Sequence, residues 1–237
     1  ASIFMLGAWL LLDRLQRQSG LPLRRSRGML ALVLIAGLLA VVHGAGLYYV
    51  VHMDSLNEVS CCCGGGAGNA RLQPAAYYLP WLLPGPARGA ILNTLFFAGA
   101  PLLAAWLLIW SRRPAPRLPA RGLAGRALLL LAAMGLAAAS LLEFAEVLAP
   151  LLMRLPFHHC LYCLLFNGRA PDAPLIVGNV AIGTFAAGWA AVLGPALRSE
   201  SLAPAAWRWH CRLCRLAATA LSASVLMVAI HLLVYHG

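Results

Sequence analysis

Residues 127–152 read ALLLLAAMGLAAASLLEFAEVLAPLL, an apolar run interrupted by only two charged residues, Glu143 and Glu146. An α-helix needs roughly 20 apolar residues to cross the hydrocarbon core of a bilayer. This run is therefore long enough to span a membrane as one helix. Four further stretches have the same character, at 29–51, 89–110, 175–197 and 213–235.

The composition agrees with these five apolar stretches. The chain is 62% hydrophobic and only 11% charged, whereas about a quarter of the residues of soluble domains are charged. A sixth apolar stretch, at 2–12, is too short to cross a bilayer alone without tilt or preceding residues. The sequence predicts one all-α transmembrane domain over 1–237, a polytopic bundle of about six helices with five full spans and a short first helix.

The distribution of arginine predicts the orientation of the bundle. All 18 basic residues are arginines, and most of them follow the first, third and fifth helices. Because positively charged loops stay in the cytoplasm, we expect 13–28, 111–126 and 198–212 to be cytoplasmic loops. The loops at 52–88 and 153–174 and both termini then lie outside. In a bacterial inner membrane, the cysteine- and histidine-bearing loops would face the periplasm.

The net charge of +11 does not indicate nucleic acid, because the arginines lie in short connectors and no nucleic-acid-binding motif is present. Arginines beside membrane helices interact with anionic lipid headgroups. The partners expected from the sequence are therefore the lipid bilayer and other membrane or periplasmic subunits, with no nucleic acid.

Five of the seven cysteines fall in the two outer loops, at Cys61, Cys62, Cys63, Cys160 and Cys163. Outside a bacterial cytoplasm, thiols are usually oxidised or bound to metal. Three interpretations are open: structural disulfides between the loops, a metal site, or a catalytic thiol relay through Cys160 and Cys163.

The segment around Cys160 and Cys163 carries the densest set of candidate ligands. His158 and His159 precede a Cys-x-x-Cys pair, whose spacing is that of redox dithiols. Thiolate and imidazole also suit copper or zinc, and one or two of the cysteines at 61–63 would complete a tetrahedral site. On the other side, Cys211 and Cys214 follow His210; we expect reduced thiols there, with metal binding as the alternative.

Ionisable residues inside a membrane are costly and mark functional sites. His43, Glu143, Glu146 and His231 are all expected in the outer halves of their helices, and Glu143 and Glu146 lie one turn apart on one helix face. We predict that these four residues converge beneath the outer loops. They would form a proton path, an acid/base group for a quinone, or ligands for haem b or a metal ion.

Small residues recur at four-residue spacing at Gly183, Ala187 and Ala191. This spacing allows neighbouring transmembrane helices to pack closely. It predicts a contact face within the bundle or between subunits.

The cysteine-bearing outer loop at 61–63 and the separate pair Cys160 and Cys163 resemble in plan the quinone-linked disulfide-forming proteins of the DsbB and vitamin K epoxide reductase type. The resemblance implies that a thiolate at Cys160 or Cys163 exchanges electrons with a disulfide at 61–63, and that quinone accepts them near His43 and Glu143. The predicted helix count exceeds the four of those families.

The residues themselves favour a membrane subunit of a redox or metal-handling assembly of respiratory type. In that interpretation the outer Cys/His cluster binds metal or bridges the loops, because no nucleophile and base stand in a catalytic motif. The quinone-linked thiol-disulfide oxidoreductase is the alternative, and a proton-coupled transporter is the third. Whether the chain is an enzyme stays open.

Overall fold

The structure is a computed structural model that describes residues 2–19, 34, 36–46, 48, 85–112, 122–156, 159, 161–166, 170–193 and 203–236. Every regular element in these residues is helical. The elements are α1 (Ser2–Ser19), α2 (Ala36–Gly46), a short 3₁₀ turn (Gly85–Ala87), α3 (Arg88–Phe97), α4 (Gly99–Arg112), α5 (Gly122–Glu143), a π-helical turn (Phe144–Leu148), α6 (Ala149–Met153), α7 (Leu161–Phe166), α8 (Ala173–Val192) and α9 (Ala203–His236).

Four of these helices are long and apolar enough to cross a membrane: Arg88–Arg112, Ala124–Met153, Ala173–Val192 and Ala203–Val234. They confirm the helical membrane bundle and correspond to the predicted stretches at 89–110, 127–152, 175–197 and 213–235. Of the fifth predicted stretch, 29–51, the helix α2 is described, and it is shorter. The number of six spans therefore stays a prediction.

Of the helices that extend into segments expected to be loops, α9 and α1 extend furthest. Helix α9 begins at Ala203, inside 198–212, because Ala206, His210, Leu213 and Ala217 recur at helical spacing and are buried. Helix α1 continues to Ser19, inside 13–28.

The continuation of α1 has two local causes. Leu15 is buried and extends the apolar face of the preceding turns. Arg17 and Asp13 form an ion pair of 2.9 Å one turn apart, which supports the helix. In both helices, apolar residues that recur at helical spacing and are buried extend the helix into a segment that contains charged residues.

The span Arg88–Arg112 is broken into α3 and α4 at Ala98. Pro101 has no N–H to donate back to the carbonyl of Phe97, so the regular hydrogen-bond series is interrupted there. The chain continues because the N–H of Ala98 bonds to Thr94 and that of Leu102 bonds to Ala98.

Helix α9 packs chiefly against α8 and α4, while α5 packs against α8 and α3, and α1 lies on α8. Two apolar clusters fill the bundle. One surrounds Leu107, Leu129 and Leu221, towards the end where α4 finishes and α5 and α9 begin; we call this the arginine end. The other surrounds Phe144 and Ile176, towards what we call the acidic end.

The small residues of α8 allow close packing, as their spacing predicts. Ala187 and Ala191 are buried. A Cβ atom on Gly183 would lie 2.6 Å from Cγ of Leu221 and 3.3 Å from the carbonyl oxygen of Ala217 on α9. Hydrogen at this position lets the two backbones approach.

Replacing Gly183 with alanine is therefore expected to lower the melting temperature of the protein in detergent. The methyl group must displace the branch point of Leu221, and overpacking of this kind costs about 1–3 kcal/mol. Gly178→Ala on the same helix is the matched control, because nothing lies within 4 Å of its Cβ position. Thermal unfolding of both variants checks this; equal melting temperatures would contradict the close α8–α9 contact.

Candidate functional site

The acidic end carries a buried carboxyl group that has no polar partner in the described part of the chain. Glu143, the last residue of α5, is 0% exposed, and neither of its carboxyl oxygens has a hydrogen-bond partner among the described residues. Ser140 lies one turn earlier, is also buried, and its hydroxyl is likewise unpartnered there. A bare carboxylate in an apolar interior is very costly. This position therefore suits a group that takes up a proton or binds a cation.

The second acidic residue, Glu146, lies in the π-helical turn and faces an arginine. Its Oε2 atom is 3.6 Å from Nη1 of Arg88, and both side chains are largely buried, at 3% and 12% exposed. Arg88 is the first residue of α3, so this ion pair ties the start of one membrane span to the π turn of another. The two glutamates predicted to share a face are both buried, and of the two Glu146 is the one paired with a cation among the described residues.

The π turn has a consequence for the backbone. The N–H of Ala149 donates to Phe144, five residues back, and Pro150 has no N–H to donate. The carbonyl of Ala145 thereby loses its donors within the helix. His159 replaces them, with Nδ1 at 3.1 Å from the Ala145 oxygen.

This hydrogen bond defines the tautomer of His159. A carbonyl oxygen only accepts, so Nδ1 must carry the hydrogen, and in the neutral ring Nε2 keeps its lone pair. His159 is half-buried. The hydrogen bond thus fixes the ring of this predicted metal ligand and leaves the lone pair of Nε2 available to a metal ion.

Another histidine at the acidic end binds a carboxylate that the sequence analysis missed. Nδ1 of His231 lies 2.8 Å from Oδ1 and 2.7 Å from Oδ2 of Asp172, and His231 is buried. Asp172 occupies the N-cap position of α8, but its side chain makes no capping bond. The signal available in the sequence was an aspartate beside Pro171, which predicts a cap rather than a partner for a residue 59 positions away.

The predicted site residues are only partly brought together. Glu146 lies in the π turn, and His159 donates to the carbonyl of Ala145 in the same turn. Cys163 is buried in the apolar cluster that contains Phe144. His43 is exposed on α2, where Nδ1 lies 2.6 Å from the oxygen of Leu39 in its own helix.

Five of the predicted ligands lie outside the described residues, namely Cys61, Cys62, Cys63, His158 and Cys160. Within the described residues, no group of three or more His, Cys, Asp or Glu side chains is placed to hold a metal ion. The metal site and the loop disulfides therefore stay predictions.

At the arginine end, His210 is also held by a backbone carbonyl. Its Nδ1 lies 3.1 Å from the oxygen of Ala190, and its Nε2 lies 3.5 Å from Sγ of Cys214. Because the Ala190 carbonyl only accepts, Nδ1 carries the hydrogen, and in the neutral ring Nε2 accepts from the thiol of Cys214. Trp207 stacks on the ring at 5.1 Å between centroids. The arrangement joins α9 to α8 and engages both ring nitrogens; the reduced thiol at Cys214 stays a prediction.

Comparisons with known proteins add no assignment: no family model matches the chain, and neither do curated proteins or solved structures.

The ion pair at the π turn gives a testable expectation. Arg88→Gln should destabilise the protein by roughly 2–5 kcal/mol, because it leaves the buried Glu146 carboxylate without its arginine. Thermal or denaturant unfolding in detergent measures the effect. Arg154→Gln, at an exposed residue of the same end, serves as the control with the same change of charge.

The double variant Arg88→Gln/Glu146→Gln should recover much of the stability lost in Arg88→Gln, because both charges of the buried pair are removed together. If the stability lost in the double variant equals the sum of the losses in the two single variants, the two side chains do not interact.

Proposed function

We propose that this chain is a membrane subunit of a redox or metal-handling assembly, and that segment 158–163 at its acidic end contributes ligands to a copper or zinc ion. The hydrogen bond from His159 to the Ala145 carbonyl carries this proposal. The proposal places the acidic end on the periplasmic side of a bacterial inner membrane, since the arginine end is expected to be cytoplasmic.

Metal-binding histidines almost always donate their second ring N–H to a carbonyl or carboxylate, which fixes the tautomer and orients the lone pair. His159 has this arrangement before any metal is considered. The other candidate ligands of this segment are close in sequence: His158 precedes it directly, and Cys160 and Cys163 follow within four residues. Mixed thiolate and imidazole donors suit Zn(II) or Cu(I), and one of the cysteines at 61–63 could complete the set.

The quinone-linked thiol relay has less support. Cys163 is buried among apolar side chains, including Leu164 and Ile176. A thiolate, the reactive form, is costly in such surroundings. A relay would therefore depend on Cys160 as the attacking thiol and on the cysteines at 61–63.

Metal analysis of protein extracted gently from native membranes tests the metal-handling proposal. The wild type is expected to hold about one copper or zinc ion per chain, and His159→Gln is expected to lose it. Glutamine keeps an N–H donor for the Ala145 carbonyl but offers no imidazole lone pair, so the melting temperature without metal should stay near that of the wild type.

His43→Gln is the matched control, because His43 is exposed on another helix and should retain the metal. Wild-type protein without copper or zinc would overturn the metal site. If its outer thiols then cycled between oxidised and reduced states, the disulfide relay would replace it.

A proton-coupled function is the second candidate, and it is favoured by the buried carboxyl of Glu143, which has no hydrogen-bond partner among the residues that the structure describes. Buried ionisable groups in membrane helices are typical of proton relays. The hydroxyl of Ser140, one turn away on the same helix, offers a further polar atom for a proton or water path.

Glu143→Gln is expected to leave the stability unchanged within about 1 kcal/mol or to raise it, because the neutral amide avoids burying a charge. Glu146→Gln, three residues later, should destabilise the protein by breaking the pair with Arg88. Infrared difference spectra should also show a protonated carboxyl band in the wild type that is absent in Glu143→Gln. A wild type without that band, or a strong loss of stability in Glu143→Gln, would mean that Glu143 is ionised and bound to a cation.

A further inference from the structure

A groove with apolar walls and a basic rim lies at the arginine end between α1, α8 and α9. Its volume is about 630 Å³, within the range of ligand-binding sites. Its lining comprises Gly7, Leu10, Leu11, Asp13, Arg14, Arg17, Trp189, Trp209 and Leu213.

Helix α1 is held in place along this groove by α8. The indole N–H of Trp189 donates to the carbonyl of Phe4 at 2.8 Å, and the Phe4 ring stacks on the indole at 6.2 Å between centroids. A Cβ atom on Gly188 would lie 2.6 Å from the Phe4 ring. The apolar wall is thus built by a close contact between helices.

The rim carries an unusual concentration of positive charge around one indole. The guanidinium carbon of Arg14 lies 5.9 Å from the centroid of the Trp209 ring, and that of Arg212 lies 5.7 Å from it. Each contact is favourable as a cation–π interaction, but two like charges beside one ring repel each other. Both arginines are exposed, so their N–H donors are open to a ligand.

Among the described residues that line the groove, one is acidic, Asp13, and it is engaged by Arg17 at 2.9 Å. Arg14 and Arg212 therefore keep their charges without a carboxylate from the lining. A bound anion would offset the repulsion between them, and guanidinium groups bind phosphate oxygens in a bidentate manner.

We propose that this groove binds an anionic phospholipid, with its phosphate at the guanidinium groups beside Trp209, those of Arg14 in the groove lining and Arg212 next to it, and an acyl chain along the apolar wall. Tryptophan and arginine at the end of a membrane span lie at headgroup level. Leu10 is 53% exposed and continues the wall towards the surrounding hydrocarbon. A soluble phosphate would use the rim alone, whereas a phospholipid uses both the rim and the wall.

The test is titration of the purified full-length protein in neutral detergent with phosphatidylglycerol, with native mass spectrometry counting the bound lipids. The wild type should retain at least one phosphatidylglycerol molecule per chain and gain melting temperature when it is added. Phosphatidylcholine and inorganic phosphate at equal concentrations should give a much smaller gain. Equal gains with inorganic phosphate would show a simple anion site and overturn the lipid assignment.

The double variant Arg14→Gln/Arg212→Gln should bind phosphatidylglycerol at least tenfold more weakly. Its control is Arg208→Gln/Arg215→Gln, which removes the same charge at exposed positions of the same end of α9. Among the described residues, the arginines that contact the Trp209 ring are Arg14 and Arg212, and not these two. The melting temperatures without added lipid show that both variants fold. Equal weakening in the two double variants would mean that only diffuse charge attracts the lipid, and unchanged binding in the first would also overturn the proposal.

Discussion

A backbone carbonyl inside a bilayer must find its hydrogen-bond donor within the protein, and at Ala145 this requirement shapes the acidic end. The π turn shifts the N–H of Ala149 to Phe144, and Pro150 supplies none. The missing donor comes from His159, which belongs to the segment after α6. The backbone geometry of one membrane helix thus determines where a candidate ligand ring lies and which of its nitrogens keeps a lone pair.

The same device recurs at the arginine end. Ala190 lies in the last turn of α8, where carbonyls lack partners within the helix, and His210 of α9 donates to it. There the second ring nitrogen of His210 accepts from the thiol of Cys214, so both nitrogens are engaged and the ring links α9 to α8. His159 and His210 show how a similar hydrogen bond produces a candidate ligand in one place and an internal connection in another.

The four helices that are long and apolar enough to span a membrane follow from hydropathy, because length and apolar content decide whether a helix can cross a bilayer. The close contact at Gly183 was likewise predictable from the spacing of small residues. The helical state of 203–212 was not, because charge and tryptophan content suggested a loop, whereas burial of Ala206 and His210 decided the matter.

The site was less predictable than the spans. Hydropathy identified Glu143 and Glu146 as unusual, but the partner of Glu146 is Arg88 at the start of another span, and that of His231 is Asp172. The π turn at Phe144–Leu148 could not be predicted from the sequence, because neither Phe144 nor Pro150 is specific to such a turn. Such pairings arise from the packing of distant segments and have no periodicity in the sequence.

The central claim is that the Ala145 carbonyl fixes His159 with its hydrogen on Nδ1. Nitrogen NMR of selectively labelled histidine in the membrane-embedded protein, assigned by comparison with His159→Gln, measures this directly. We expect a hydrogen on Nδ1 of His159. A neutral ring with its single hydrogen on Nε2 would contradict this, because Nδ1 would then have no hydrogen to donate and the Ala145 carbonyl would need another partner.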